Sequence, residues 1–458
     1  MSSAESPIRY PDASSPEAMT RRAWVLLILN LLVPGSAQAL AGNRQLGRVG
    51  LRATLVLWGT LLLGALFMGL WQAFTLTLVT STWFLWVVTV VAIGYAVLWF
   101  VLTLDTLRLL RLVTTGPRAR WILAGVTALS LVASTGVAVY ASQLSVSTNS
   151  LLTNVFRSGP AEPPINGRYN FLLLGGDAGP DRDGLRPDSA MVVSVDAETG
   201  ATVTIGMPRD LHDFTFPAGS VMAGLYPEGY TESSADYCGE WACLNTVYVD
   251  AEENHRDAFA ASIAKGIPAG VAAMMEAASG VTGLTVQYYA LIDMQGFSDL
   301  VDALGGVDVC VENRVPIVAD ETSEPQHWIE EGCQRLNGHD ALWFARARYQ
   351  IGDGDYGRMQ RQAKLEQAIV EQFTPATILA KFNSIAASTS EIVTTSVPQS
   401  MLGYFVTLAE KARAIPIARV ELIPANGVDP QEPDYAYIAS LIEQALHPAT
   451  ESHPPASG

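Results

Sequence analysis

Three long apolar segments near the start of the chain constrain its fold more than any other feature of the sequence. They cover residues 53–73, 82–104 and 121–142. Each reaches the length of about 20 residues that an α-helix needs to cross the hydrocarbon core of a bilayer. Together with the apolar residues that precede them, they predict an all-α, multi-span membrane region over residues 23–142.

A fourth apolar segment, residues 23–42, is interrupted by Pro34 and Gly35 and leaves two interpretations open. It either spans the membrane or re-enters it. A full span would place the N-terminus outside, whereas the three arginines before the segment favour an inside location. A re-entrant segment removes this conflict, and the sequence does not choose between three and four spans. Residues 1–22 are expected to be cytoplasmic or flexible.

The arginines between the apolar segments predict the orientation of the chain. Three arginines precede the segment at 53–73 and four precede the segment at 121–142, whereas the link at 74–81 contains no basic residue. Short cytoplasmic loops are enriched in Arg and Lys, so both arginine-rich loops are expected to face the cytoplasm. We therefore expect a multi-pass cell-membrane protein that contacts lipid and whose C-terminal domain is extracytoplasmic.

Charge divides the chain into a basic and an acidic part. The first 150 residues hold 10 arginines and no lysine against 4 acidic residues, a net charge of +6, within a chain of net charge -17. The remainder therefore has a net charge of -23. An acidic domain repels nucleic-acid phosphates at long range, so no nucleic-acid partner is expected. Arginines that cluster within such a domain instead indicate a compact anion.

The C-terminal part has the pattern of an α/β domain. Residues 143–167 are predicted to form a short helix and a Pro/Gly linker, residues 168–446 the domain, and residues 447–458 a disordered tail. Apolar strand patterns alternate with helical stretches. They include a hairpin that turns at Glu198–Gly200, a helix near 256–279, a strand at GGVDVCV and a last helix near 435–446. This alternation predicts a three-layer αβα domain with a central mixed sheet.

All four cysteines, Cys238, Cys243, Cys310 and Cys333, fall in the C-terminal part. An even count in an oxidising compartment indicates disulfides rather than a metal site, because no Cys or His pairs recur at zinc spacing. Three pairings are possible. We predict the nearest-neighbour one, in which Cys238 pairs with Cys243 and Cys310 with Cys333, because each bond closes a short loop.

An arginine cluster between residues 341 and 362 indicates an anion site. Arg346 and Arg348 stand two residues apart on a predicted strand, so both side chains would leave the same face of a sheet. Arg358 and Gln362 lie in the first turns of the helix that follows, with Arg361 between them. Guanidinium groups near a helix N-terminus bind phosphate strongly. Pairing with the domain's excess carboxylates is the alternative interpretation.

Acidic residues at the ends of other predicted strands indicate a cation. Asp177 ends one strand and Asp188 precedes the next, and two such carboxylates together with phosphate oxygens are typical Mg²⁺ ligands. Aspartates in loops are also common turn formers, so this signal is weak by itself. Arg186, Arg209 and Asp210 add two more arginines and a third carboxylate. Metal and arginines around one crevice favour a pyrophosphate substrate.

Six sequence blocks, in order, resemble the LytR-CpsA-Psr family of envelope proteins over about residues 168–375. They read FLLLGGD, LRPDSAMVVSVD, MPRD, LVDALGGVDV, LNGHDALWFARARY and GDYGRMQRQ. The resemblance implies a membrane-anchored transferase that moves a glycopolymer from a polyprenyl diphosphate carrier onto peptidoglycan, with Mg²⁺ bound. Two departures stand out, because Pro187 replaces a small polar residue and the multi-span N-terminus replaces a single anchor helix.

The resemblance also implies roles for individual residues. Asp177 and Asp188 would lie at the metal, and Asp177, Arg209, Asp210 and Arg348 would be catalytic. The pyrophosphate would be bound by Arg186, Arg209, Arg346, Arg348, Arg358 and Gln362, with Asp355 nearby. Asp177 or Asp210 would take the proton of the acceptor, and the sequence does not choose between them. Arg361 is expected to point outward, towards a surface carboxylate.

Two other functions remain open from the sequence. The same site would suit a phosphatase that hydrolyses the lipid diphosphate, and a non-catalytic protein could bind the lipid carrier as a regulator. A phosphatase releases the glycan free, whereas a transferase attaches it to a wall fragment.

Overall fold

A computed structural model describes most of the chain. It covers residues 8–9, 11–12, 14–71, 75, 78, 82–156, 161–177, 186–231, 242–318, 324–352, 354–373 and 393–448. The chain forms two compact units, Met1–Asn149 and Ser150–Gly458. Most of the predicted disordered tail lies outside the described residues.

The first unit is helical. Its helices are α1 (Pro16–Leu32), α2 (Ser36–Ala41), α3 (Arg44–Leu70), α4 (Thr82–Leu110) and α5 (Pro117–Val155), of which α5 continues into the second unit. Within the described chain, three segments are long and apolar enough to cross a membrane, namely Arg44–Leu70, Trp86–Thr114 and Pro117–Gly136. Their outward side chains are predominantly apolar, as a lipid-facing surface requires. These helices confirm the expected membrane attachment.

The first apolar segment is a broken helix. α1 ends at Leu32, and α2 starts after Gly35, which adopts a left-handed φ of 98°. A Cβ at Gly35 would overlap the backbone of Gly50 and Leu51 on α3, so glycine permits this close approach. Buried Gln38 of α2 donates a hydrogen bond to the Leu102 carbonyl of α4 over 2.8 Å. A break that is packed inside a helical unit supports the re-entrant interpretation, which stays a prediction.

The second unit is built around a six-stranded mixed sheet, which confirms the predicted α/β class. Its strands are β1 (Arg168–Asp177), β2 (Arg186–Asp196), β3 (Thr202–Met207), β4 (Tyr288–Asp293), β9 (Val393–Thr395) and β10 (Ala418–Glu421). Their order in the sheet is β10-β3-β2-β1-β4-β9. β1 is parallel to β4, and β3 is parallel to β10, whereas β2 runs antiparallel to both β1 and β3. The carboxyl ends of β1, β3, β4 and β10 therefore meet at one edge.

Alternate residues of β1 enter different apolar clusters, because successive side chains leave opposite faces of a sheet. Leu172 and Leu174 belong to the larger cluster, and Tyr169 belongs to the smaller one, against which Phe171 packs. The larger cluster includes residues of four helices: α6 (Val221–Leu225), α7 (Thr246–Glu253), α9 (Ala269–Thr282) and α14 (Tyr435–Leu446). The smaller cluster includes Leu408 of α13 (Leu402–Ala412). Helices on both faces support the expected three layers.

A second apolar core lies beside the main sheet. It is formed by α10 (Met294–Leu304), β5 (Val307–Val311), β6 (Val315–Ile317), β7 (His327–Ile329), β8 (Gly332–Leu336), α11 (Gly338–Arg346) and α12 (Gly354–Gln372). The strands pair as β5 with β8 and β6 with β7, both antiparallel. β5, which was predicted as a strand, therefore belongs to a small separate sheet.

The segment around Arg346 and Arg348 was predicted as a strand, and that prediction is wrong. Arg346 is the last residue of α11, and Arg348 lies in the loop after it. The helix is favoured by Asn337, whose side chain caps it by accepting a hydrogen bond from the Asp340 amide over 2.8 Å. Ala341 and Phe344, three residues apart, are buried in the second core. The buried residues of this segment therefore have the spacing of a helix, although the sequence also alternates in the way that suggested a strand.

Three further elements differ from the sequence predictions. α5 runs without interruption to Val155, because no Pro or Gly falls between residues 137 and 158. The helix predicted near 256–279 breaks into α8 (Ala260–Ala264) and α9, with Gly266 and Pro268 between them. β4, which pairs with β1 in the middle of the sheet, was not predicted.

The disulfide predicted between Cys310 and Cys333 is present. It joins directly opposite residues of β5 and β8. Cys243 is also disulfide-bonded. Its predicted partner, Cys238, lies outside the described residues.

Candidate functional site

The carboxyl edge of the main sheet brings together residues that are far apart in sequence. In the β1–β2 ladder Asp177 lies opposite Arg186, and a bulge between Gly175 and Gly176 places Asp188 at the irregular part of the register. Gly176 is also opposite Asp293, the last residue of β4. The end of β3 leads directly into Arg209. Open α/β sheets bind ligands at the carboxyl ends of their strands, so this edge is the expected place for a site.

Helices α11 and α12 are fastened together beside this edge. Buried Arg361 donates to the Phe344 carbonyl over 3.2 Å and also to the Ala347 carbonyl. Gln362 donates to the Ala345 carbonyl over 3.2 Å. These acceptors are the carbonyls that a helix C-terminus leaves without an intrahelical partner. The expectation that Arg361 points outward is therefore wrong.

A cavity of about 580 Å³ opens between the sheet edge and α10, α11 and α12. Its lining includes the apolar residues Leu173, Ile292, Phe297, Leu300, Val318 and Leu342. It also includes the charged residues Arg209, Asp293, Arg346, Arg348, Arg358 and Glu366. The size lies in the usual range of small-molecule sites, about 300 to 1,000 Å³. A ligand with an apolar chain and an anionic head would match this mixture of lining residues.

The predicted arginines converge on this cavity although they come from different elements. Arg209, Arg346, Arg348, Arg358 and Gln362 all line it. Asp210 follows Arg209 but is not among the lining residues that the structure describes. The side chains of Asp177, Arg186, Asp188 and Asp355 lie outside the described part, so their predicted roles stay predictions.

Aromatic side chains hold two of these arginines. The guanidinium of Arg348 lies 4.7 Å from the ring centre of Tyr349 and donates to its hydroxyl over 2.6 Å. The guanidinium of Arg346 lies 5.5 Å from the ring centre of Trp343. Both aromatic residues also line the cavity. Stacking of this kind limits the side-chain freedom of an arginine before a ligand arrives.

A pair of glutamates lies next to the arginines. Glu366 lines the main cavity and also a smaller recess that Glu421 lines. Burial raises the pKa of Glu366 to about 7, an effect that nearby Glu421 strengthens and Arg419 opposes. Burial likewise raises the pKa of Glu421 to about 6, against the opposing effect of Arg419. One of these carboxyl groups therefore holds a proton over part of the neutral pH range.

Sequence reasoning missed Glu366, Asp293, Trp343 and Tyr349. A signal for Glu366 existed, since Arg358, Gln362 and Glu366 follow each other at intervals of four residues and share one face of α12. Asp293 could not be found without β4, whose end it marks. Its side chain caps α10 by accepting from the Gly296 amide over 2.7 Å.

Asp177 and Asp188 remain the candidates for holding a metal ion. Among the side chains that the structure describes, no group of three or more His, Cys, Asp or Glu could hold one. The backbones of the two aspartates lie within two residues of each other along the β1–β2 ladder, since Asp177 pairs with Arg186 and Asp188 lies at the neighbouring bulge. Two carboxylates completed by phosphate oxygens and water suit Mg²⁺, so this backbone placement is compatible with the predicted metal.

A family model and several known proteins match this chain. The model, described as the LytR_cpsA_psr family, matches residues 141–449. A polyisoprenyl-teichoic acid–peptidoglycan teichoic acid transferase, TagU of Bacillus cereus, is 27% identical over 233 residues, 51% of this chain and 62% of that protein. TagV of Bacillus subtilis, which has the same transferase description, is 26% identical over 46% of this chain and 45% of that protein.

Among solved structures, the crystal structure of B. subtilis TagV is similar at 21% identity and a TM-score of 0.43. That similarity covers 62% of this chain and 97% of the TagV chain.

Proposed function

This chain belongs to the LytR-CpsA-Psr family, and from that membership we propose that it is a membrane-anchored phosphotransferase. It moves a glycopolymer from a polyprenyl diphosphate carrier onto peptidoglycan, and its C-terminal domain is extracytoplasmic. TagU and TagV, the two relatives named above, are described as transferases of teichoic acid to peptidoglycan. The match covers 62% of the length of TagU and 45% of the length of TagV. The arginine-rich loops between the apolar helices support the orientation.

The observation that carries this proposal is the mixed lining of one cavity. Apolar lining residues such as Ile292, Phe297 and Leu300 suit a polyprenyl chain. The arginines that line the same cavity suit the diphosphate to which that chain is attached. A single phosphate or carboxylate ligand would require neither so many guanidinium groups nor so many apolar lining residues.

The arginines act on charge that develops during transfer. A hydroxyl oxygen of the acceptor attacks the phosphorus atom that carries the glycan, and a new P–O bond forms. The bond from that phosphorus to the bridging oxygen breaks, and the polyprenyl phosphate leaves with the electron pair. Negative charge builds on the leaving polyprenyl phosphate in the transition state. Cations fixed near the bridging oxygen therefore stabilise the transition state more than the ground state, and this difference accelerates the reaction.

Mg²⁺ is part of the proposal. Asp177 and Asp188 would hold it, and the ion would supply positive charge to the diphosphate oxygens. The arginines need no metal to retain their charge, because a guanidinium stays protonated at any pH that a protein tolerates.

The test is a transfer assay with the full chain in detergent, a polyprenyl diphosphate-linked glycan and a peptidoglycan fragment. We expect glycan attached covalently to the fragment. Arg348→Ala should lower the rate about ten- to a hundredfold, because it removes an interaction that strengthens in the transition state. Arg348→Lys should restore part of it, since a point charge cannot form the bidentate fork.

Arg256 provides the matched control for Arg348. Its side chain is 66% exposed and pairs with Glu252 on the surface, so Arg256→Ala should leave transfer unchanged. Glycan released free would establish the phosphatase instead. Carrier binding without any product would establish the regulatory protein.

A further inference from the structure

Glu366 lines the same cavity as the predicted arginines. It is the residue of α12 that follows Arg358 and Gln362 on one helix face, and all three line both the main cavity and the smaller recess. Ser189 at the start of β2 and Arg209 after β3 line the same two spaces. Glu366 therefore belongs to the lining of the proposed diphosphate site and not to a separate part of the domain.

The fold makes specific room for the carboxylate next to Glu366. Glu421 lies opposite Gly206 in the parallel β3–β10 ladder. A Cβ at position 206 would overlap the carboxylate of Glu421, so glycine lets that carboxylate lie across β3 without a shift of its side chain. Arg419, two residues earlier on the same face of β10, donates to the Ala363 carbonyl of α12 over 2.8 Å. This bond fixes β10 and α12, and with them the two glutamates.

We propose that Glu366 is a further catalytic residue, which accepts the proton of the acceptor hydroxyl, and that Glu421 and Arg419 are positioning residues that set its charge. This inference rests on the proposed function. As the new P–O bond forms, the O–H bond of the acceptor breaks and its proton passes to a carboxylate oxygen of Glu366. The electron pair of the broken P–O bond stays on the polyprenyl phosphate, so atoms and charge balance.

The other carboxylates at this edge are less suited to accept that proton. Asp293 lines the cavity, but its carboxylate is already engaged in capping α10, where it accepts a hydrogen bond from the Gly296 amide. Asp210 does not line the described cavity. Asp177 and Asp188 would be committed to the metal. A base whose pKa lies near the working pH is the most effective proton acceptor, and burial raises the pKa of Glu366 to about 7.

The charged groups around Glu366 predict the direction of its titration. On the β10 side it faces Glu421 and Arg419, and within the cavity the charged residues are Arg209, Asp293, Arg346, Arg348 and Arg358. Transfer requires ionised Glu366, so the rate should rise as pH rises through about 7. Removing the charge of Glu421 should move this rise to lower pH, because a negative neighbour no longer opposes ionisation.

The experiment measures transfer by the full chain in detergent from pH 5 to 9, with binding of the polyprenyl diphosphate carrier measured in parallel. Glu366→Gln should lower transfer about 10²- to 10⁴-fold and abolish its rise through neutral pH while carrier binding persists. Glu421→Gln should retain transfer and shift the rise downward by roughly one pH unit. Glu371→Gln, an exposed residue on the same helix, should match the wild type.

The outcomes separate this inference from the proposed function. Wild-type transfer together with an unchanged rate and pH profile in Glu366→Gln would overturn the role of Glu366 and leave the transferase intact. An unshifted profile in Glu421→Gln would overturn the positioning role. A wild type that forms no linked product would overturn the proposed function and the inference with it. If Glu366→Gln fails to bind the carrier, the pH profile of Glu421→Gln decides the role of Glu366: a rise shifted to lower pH supports it, and an unshifted rise overturns it.

Discussion

Arg358 and Arg361 are three residues apart on α12 and have different surroundings. Arg358 lines the cavity, whereas Arg361 is directed at the C-terminal carbonyls of α11. Both are buried, with 5% and 9% of their surface exposed. Burial therefore does not separate the proposed ligand-binding arginine from the structural one, and the groups around each guanidinium do.

Arg361→Ala tests this distinction. The substitution leaves the carbonyls of Phe344 and Ala347 without a buried charged donor, so the free energy of unfolding should fall by about 3 kcal/mol. The midpoint of urea unfolding of the full chain in detergent, followed by far-ultraviolet circular dichroism, measures the change. Arg256→Ala serves as the surface control. An unaltered midpoint in Arg361→Ala would contradict the fastening role.

At the scale of elements, the parallel pairing of β3 with β10 assembles a feature that neither strand contains alone. β3 contributes Gly206, and β10 contributes Arg419 and Glu421. The Arg419–Ala363 hydrogen bond joins β10 to α12, and residues of β3 and α12 line the same recess. The first turns of α12 thereby contribute Arg358 to the proposed diphosphate site, and a later turn contributes Glu366, which lines a recess together with Glu421. The position of α12 determines both the anion site and the proposed proton acceptor.

The disulfide between β5 and β8 gives a prediction about stability and thiol reactivity. Cys310 and Cys333 close a loop with a sequence separation of 23, so their disulfide should contribute about 3 kcal/mol. In the full chain from an oxidising compartment, both thiols should resist iodoacetamide until a reductant is added. Peptide mass spectrometry locates the modified cysteines. Complete labelling without reductant would exclude both the bond and the extracytoplasmic location.

At the scale of the whole molecule, the outer unit contains its own apolar cores. The two clusters on the faces of the main sheet and the core of the small sheets all lie within residues 150–458. A domain with its own core is able to fold alone. The membrane helices are therefore expected to supply attachment and not folding energy for the outer unit.

Residues 143–458, expressed without the membrane helices, should fold and bind a polyprenyl diphosphate in a Mg²⁺-dependent manner. The physical reason is that the cavity and its arginines lie entirely within this segment, while Asp177 and Asp188 supply the proposed metal ligands. Native mass spectrometry detects the bound carrier. EDTA should weaken binding, and added Mg²⁺ should restore it. Equal binding with and without EDTA would argue against the metal.

The sequence by itself determined the features that depend on local pattern. The membrane helices follow from the length of the apolar segments, and α14 follows from its helical periodicity. The hairpin of β2 and β3 follows from its alternation and turn residues. The six ordered blocks also pointed to the family and to the arginines, because motif order survives where overall identity is low.

Only the tertiary structure decided the features that depend on distant partners. α11 reads equally as strand or helix over its few residues, and its packing against the second core selected the helix. Arg361 acquired its role from the carbonyls of α11, which local sequence cannot place beside it. Glu366 became a candidate proton acceptor because β10 returns to pair with β3 and brings Glu421 next to it. The physical reason is shared: pKa values and hydrogen-bond partners are set by neighbours in space.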